Sequence, residues 1–404
     1  MMYAAYEAQT NMFDLMRPFA DALATTLRMP WPGVTPRHLR KMAGQLENFA
    51  NLRVTGTRPA FALEPVAVGN RLATITEEVV RVTPFATLLR FKKDIEEEQP
   101  RVLVVAPMSG HFATLLRATV QTLLRDHDVY ITDWHNIRDV PLESGTFDFS
   151  AYVNHIIEFM QALGPRAHLI AVCQPTVPAL AAAAIMAEND DAAQPASLIL
   201  MAGPIDTRIN PTMVNKLALE KPIAWFKDKL TSAVPAGHKG ARRRVYPGFM
   251  QLTAFMSMNP ERHKNSFKDM AQALADGDTA KYATMHNFYE EYFAVMDLPA
   301  EFYLETVQMV FQDHSLPKGE LKVNGRLIDL KAIRKTAILT VEGERDDICG
   351  LGQTLAAQEL CSSVRPYKKT HHVQTGVGHY GVFSGRRWNG EIYPKVRDTI
   401  QMAS

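Results

Sequence analysis

The chain has only three cysteines in 404 residues, Cys173, Cys349 and Cys361, an odd and sparse set that excludes a disulfide-stapled scaffold and fits a reducing compartment. Charge of one sign is also missing. Forty-four basic against 43 acidic side chains leave +1, so the overall balance gives no reason to expect a nucleic acid partner, which would need a basic excess or a concentrated basic face. The wholly apolar run that contains Pro178–Ala187 is about half of the roughly 20 residues a membrane-crossing helix requires, and no transmembrane segment is expected. The start, MMYAAYEAQTNMFDLMRPFA, has acidic residues and no basic segment leading into an apolar stretch, so no secretory signal is read and a cytoplasmic location is expected. H-E-x-x-H does not occur, His371 and His372 point apart on a strand, and the cluster Glu344, Asp346, Asp347 lacks a second group of ligands. Neither a metal nor a cofactor is expected. Gly376, Gly378 and Gly381 satisfy G-x-G-x-x-G, but the 23 residues after them are too few for a dinucleotide-binding unit.

What is present is a globular composition, 47% hydrophobic and 22% charged, which can bury a sizeable core. Residues 1–70 show helical periodicity at Met12, Phe13, Leu15, Met16, Phe19 and Leu23, then Pro30, Pro32 and Pro36, then a second helical stretch near Leu39 to Leu52. They read as an N-terminal helical extension. Over 71–204, short β-branched runs (from Val79, then Arg101–Met108, His127–Trp134, His168–Gln174 and Ser197–Pro204) alternate with helical or loop stretches, the pattern of a mostly parallel α/β sheet. Over 205–335 strand signals nearly stop and Met- and aromatic-rich helices take over, which reads as a helical lid whose apolar residues are core or line a substrate channel. The sheet resumes over 336–404 with TAILTVEGERDD and HHVQTGVGH. The basic run His238, Lys239, Arg242, Arg243, Arg244 reads as a solvated loop, with a site for a polyanion, an anionic lipid surface or a phosphate-bearing thiol donor as the functional alternative.

In LIAVCQPTVPALAAAA an apolar strand ends at Cys173 and an Ala-rich helix follows within a few residues. That turn sets a thiol at the positive end of a helix, where developing negative charge is stabilised, and aims the backbone N–H of Gln174 into the same space. In serine hydrolases the elbow reads G-x-S-x-G; here Ala171 and Pro175 stand where the glycines would, and no serine has glycines at both positions. Alone, the segment also fits a buried structural cysteine. The order of partners argues for more: Asp346 lies 173 residues on, after a strand, and His379 a further 33 on, after the last strand, giving nucleophile, acid and histidine in the α/β-hydrolase order. Asp346 is preferred to Asp347 because it stands two before the apolar Ile348. The second oxyanion donor is expected in APMSGHFATLLR, from the backbone N–H of Met108 or a neighbour.

With these residues in place, the chain resembles the intracellular polyhydroxybutyrate depolymerases of bacteria from about residue 60 onward, on VVAPMSGHFATLLR, YITDWHNIRDVP, VCQPTVPALAAAA, GPIDTRINPT, VEGERDDICG and GVGHYGVFSGRRW. The resemblance implies an α/β-hydrolase fold with a lid and a cysteine nucleophile in place of serine. It also implies hydrolysis of the amorphous polyester of storage granules, at whose surface the protein would work, to 3-hydroxybutyrate and short oligomers. The missing glycines match that family's own pattern. Water or a thiol such as coenzyme A could accept the acyl group. The chain also resembles polyhydroxyalkanoate synthases, which run acyl transfer in the building direction but keep a G-x-C-x-G box that is absent here. A non-catalytic granule-coat protein and a cysteine esterase for small soluble esters are the remaining alternatives.

Overall fold

The computed structural model describes residues 2–29, 37–258 and 260–404, so Pro30, Pro32 and Pro36 lie outside the described residues. Eight strands form the main sheet: β1 Ile75–Val82, β2 Ala86–Lys93, β3 Arg101–Val105, β4 Asp128–Trp134, β5 His168–Val172, β6 Ser197–Met201, β7 Ala337–Gly343 and β8 Lys369–Gln374. Their order across the sheet is β1-β2-β4-β3-β5-β6-β7-β8. Only the pairings of β2 are antiparallel; from β4 to β8 every neighbour is parallel. Parallel strands need crossover helices, and these cover both faces, which is why β5 and β6 are buried at every residue and apolar after their first, His168 and Ser197. The edge strand β1 is mostly exposed and carries Glu77, Glu78 and Arg81 and a bulge between Val79 and Arg81, features that discourage edge-to-edge pairing. This is the α/β-hydrolase fold, and it brings the C-terminal ends of β3, β5, β7 and β8 to one side of the molecule.

Helix α1 spans Met2–Arg28 and α2 spans Arg37–Asn51; α3 is Phe149–Leu163 and α4 is Thr176–Glu188. α3 starts where the Asp148 side chain accepts the Ala151 N–H at 2.7 Å and stops at Gly164, whose φ of +81° suits only a residue without Cβ strain. α4 is apolar all round, with five alanines among its buried residues, so it can sit deep against the sheet.

The chain between β6 and β7 contains α5 Gly248–Met258, α6 Pro260–Asp276 and α7 Thr279–Phe293. It also holds a three-stranded antiparallel sheet of Ser232–Ala233, Arg244–Tyr246 and Leu298–Pro299. Strands of two or three residues are too short to leave an alternating pattern in sequence. The N-terminal pair docks on this segment. α2 packs on α6 so closely that a Cβ at Gly44 would lie 2.8 Å from Ala271 O, and the Tyr3 hydroxyl donates to the buried Asp297. Two apolar cores result, the large one around the sheet and a smaller one of Leu52, Leu252, Met270, Tyr289, Tyr292, Phe293 and Val295, and Tyr380 packs against both. The basic run departs from a solvated loop. Arg243 is buried, its guanidinium donating to the carbonyls of Val140, Pro141 and Gly145 and lying over the Phe85 ring, while Lys239, Arg242 and Arg244 remain exposed. Those carbonyls replace the water that the sequence pattern alone would supply. Among the described residues no helix is long and apolar enough to cross a membrane. α8, Tyr393–Ala403, packs against β6 and β7.

Candidate active site

Cys173 follows β5 directly and has φ +67°, a left-handed conformation that costs energy for any residue with a Cβ. Its N–H donates to Met201 O at 2.7 Å, holding the turn on β6, while its carbonyl accepts from Thr176 N–H at 3.2 Å and Thr176 Oγ1 at 2.9 Å. The chain therefore reverses from strand to helix within three residues. Pro175, with φ −70°, sits at the start of α4, where the N–H it lacks would find no helical partner. The close approach that elbow glycines would allow is made instead by Gly203, beyond the end of β6: a Cβ there would fall 1.9 Å from Thr176 Oγ1. Cys173 is partly exposed, whereas Cys349 and Cys361 are buried.

The loop after β7 wraps Asp346. Its Oδ1 accepts the N–H groups of Ile348 at 2.9 Å and Cys349 at 2.8 Å, and its Oδ2 lies 2.8 Å from His379 Nδ1. Asp347 is exposed. The loops after β7 and β8 are tied together, Glu344 N–H to Gln374 O at 3.0 Å, Arg345 N–H to Val377 O at 2.9 Å and Gly376 N–H to Glu344 Oε2 at 2.6 Å, so acid and histidine share one frame. Only 5% of the His379 side chain is exposed, and it packs edge-on against Tyr380 and Phe383. Burial opposes charging the ring, yet the Asp346 carboxylate and the Cys173 sulfur, which is also a hydrogen-bond partner, outweigh that and hold its pKa well above the usual histidine range. The carboxylate accepts, so Nδ1 carries the hydrogen and Nε2 is left for the thiol.

At the end of β3, Ala106 O accepts from Trp134 Nε1 at 2.8 Å and Tyr152 Oη at 3.0 Å, and Ala106 N–H donates to Thr132 Oγ1 at 2.9 Å. Three such bonds, each worth about 1 kcal/mol net, fix the segment that carries Met108. The Met108 N–H is not free: it donates to Gln174 Oε1 at 3.1 Å.

Sequence reasoning missed two contributors. The Gln174 side chain was overshadowed by its backbone N–H. Glu342, a lone acid in the buried strand β7, accepts Gly352, Thr354 and Leu355 N–H at 2.9, 2.7 and 3.0 Å and fixes the far end of the acid loop. A carboxylate within a β-branched, apolar-rich strand was the available signal. Among the described residues no group of three or more His, Cys, Asp or Glu side chains could hold a metal ion.

Solved structures similar to this chain include 2-hydroxy-6-oxo-6-phenylhexa-2,4-dienoate hydrolase from a Rhodococcus species (12% identity, 81% of this chain and 99% of that one, TM-score 0.45). A monoacylglycerol lipase of Paleococcus ferrophilus gives 12%, 78%, 99% and 0.44. A thermophilic esterase from Thermogutta terrifontis gives 13%, 82%, 99% and 0.42. The poly(3-hydroxyalkanoate) polymerase subunit PhaC of Haloferax mediterranei is 24% identical over 144 residues, 36% of this chain, and the match spans a quarter of that protein's length. The family model described as PHB de-polymerase C-terminus matches residues 202–404, half of the chain and the part that carries both Asp346 and His379, and the protein belongs to that family.

Proposed function

We propose that the protein hydrolyses ester bonds of amorphous poly(3-hydroxybutyrate) at the surface of storage granules by covalent acyl transfer through Cys173. The observation that carries the reading is the His379 ring, hydrogen-bonded at 2.8 Å to a carboxylate whose other oxygen is already occupied by two backbone N–H groups, and paired with a cysteine on a strained strand-to-helix turn. In this reading the proton shared by Cys173 Sγ and His379 Nε2 lies with the ring, as its raised affinity for a proton favours, and the sulfur bonds to the ester carbon as the carbonyl electron pair moves to oxygen. The pair then returns, the ester C–O bond breaks, and the imidazolium gives its proton to the leaving hydroxyl end of the polymer. A thioester remains on Cys173. Water deprotonated by His379 attacks it, the C–S bond breaks as the imidazolium proton returns to be shared with the departing sulfur, and the acid leaves. Asp346 orients the ring and supports its charge without taking the proton.

The experiment is release of 3-hydroxybutyrate from protein-free amorphous granules by the wild type and by Cys173→Ala. Release that needs no coenzyme A and disappears in the variant supports the reading; equal release from both proteins contradicts it. The likeness to a polymerase subunit favours one second reading, acyl transfer in the building direction. Polymer growth from hydroxyacyl thioesters, with no release from granules, would establish that reading instead. Ala171 and Pro175, in place of the glycines of the synthase box, weigh against it.

A further inference from the structure

The carboxamide of Gln174 is held at one end only. Its Oε1 accepts the Met108 N–H at 3.1 Å, and its Nε2 is buried with no hydrogen-bond partner among the described residues. The residue follows Cys173 directly, so its backbone is fixed by the strained turn while its side-chain oxygen is fixed by the loop after β3. With both ends of the side chain held, the planar amide has little freedom over where its N–H groups lie. A buried donor without an acceptor is costly, and active sites keep such donors where negative charge develops during reaction.

We infer that the Gln174 side-chain amide is itself an oxyanion donor, its Nε2–H acting with the Gln174 backbone N–H, while Met108 is a positioning residue that holds and polarises Oε1. The inference rests on the proposed cysteine acyl transfer. As the sulfur bonds to the ester carbon and the π pair moves to oxygen, Nε2–H gains the acceptor it lacks at rest; when the pair returns and the C–O or C–S bond breaks, it loses it. The proton stays on Nε2 throughout.

Two variants of the full chain test this with p-nitrophenyl butyrate as substrate. Gln174→Met keeps the volume and removes the amide; Gln174→Glu keeps an oxygen for Met108 and puts a carboxylate oxygen in place of Nε2–H. Acylation is expected to slow about 10²- to 10³-fold in both, the loss seen when one oxyanion donor is removed. Alkylation of Cys173 by iodoacetamide, which forms no oxyanion, stays within a few-fold of wild type in Gln174→Met. The rate of Gln174→Glu relative to wild type recovers as pH falls through the carboxyl range, because a protonated carboxyl again offers a donor, and Gln174→Met shows no such recovery. Acylation in Gln174→Met at or above the wild-type rate overturns the inference and means that the amide merely plugs the Met108 N–H. Parallel loss of alkylation and acylation overturns it as well, since it marks a collapsed elbow. A wild type that is alkylated at Cys173 yet hydrolyses no ester refutes the underlying function, a result distinct from an active wild type that is indifferent to Gln174.

Discussion

Asp346 has both oxygens engaged, one by the backbone and one by His379, and the two sets of contacts separate its structural from its chemical part. Asp346→Asn retains an oxygen for Ile348 and Cys349 but turns an N–H2 toward His379, which favours the wrong tautomer; kcat is expected to fall by about 10²- to 10⁴-fold with little change in melting temperature. Asp347→Asn is expected to stay near wild type, and an equal loss in the two variants would contradict the assignment. Gly203→Ala places a methyl 1.9 Å from Thr176 Oγ1 and should cost about 1–3 kcal/mol, read as a lower urea midpoint at unchanged m, with Cys173 less protected from alkylation. At this scale the placement of Cys173, Asp346 and His379 just beyond the ends of β5, β7 and β8 was legible from spacing. The sequence was illegible where partners are distant backbone atoms. Arg243 looks solvated in a basic run, and only the fold brings three carbonyls to it. Glu342 finds its N–H donors ten to thirteen residues away.

Among the elements, the parallel strands were readable because strands covered on both faces are largely apolar, and α4 because its alanines announce close packing. The docking of α1 and α2 was not. Helical periodicity says that a face is apolar but not what it meets, and the contact depends on one small residue, Gly44, opposite Ala271. Gly44→Leu should therefore part α2 from α6 without disturbing the sheet. In limited proteolysis the segment before residue 60 is expected to be cut earlier than in wild type while the remaining core persists. Cleavage at the wild-type rate would show that the α2–α6 approach does not hold the N-terminal pair.

Across the whole molecule, Tyr380, beside His379, packs against both cores and so couples the packing of the smaller core to the site. Global stability carries a signature of buried histidines. Burial, helped by the nearby His127, pushes His168 down to about 4, where its ring pairs with Ser197 Oγ at 2.8 Å. The unfolded chain binds that proton near the ordinary value of 6.5 and the folded chain does not, so this stability is complete above 6.5 and is lost as pH falls toward 4. Relative to His168→Gln, the wild type should lose about 2 kcal/mol between pH 6.5 and 5 in urea titrations; parallel pH profiles would contradict it. Acyl transfer through Cys173 is tested by mixing the protein with a short 3-hydroxybutyrate oligoester, quenching in acid and mapping the peptides by mass. A hydroxybutyryl thioester, labile to hydroxylamine, is expected on the peptide that bears Cys173 and is expected to be absent from Cys173→Ala. Product release with no adduct there, or with the adduct on another residue, would contradict it.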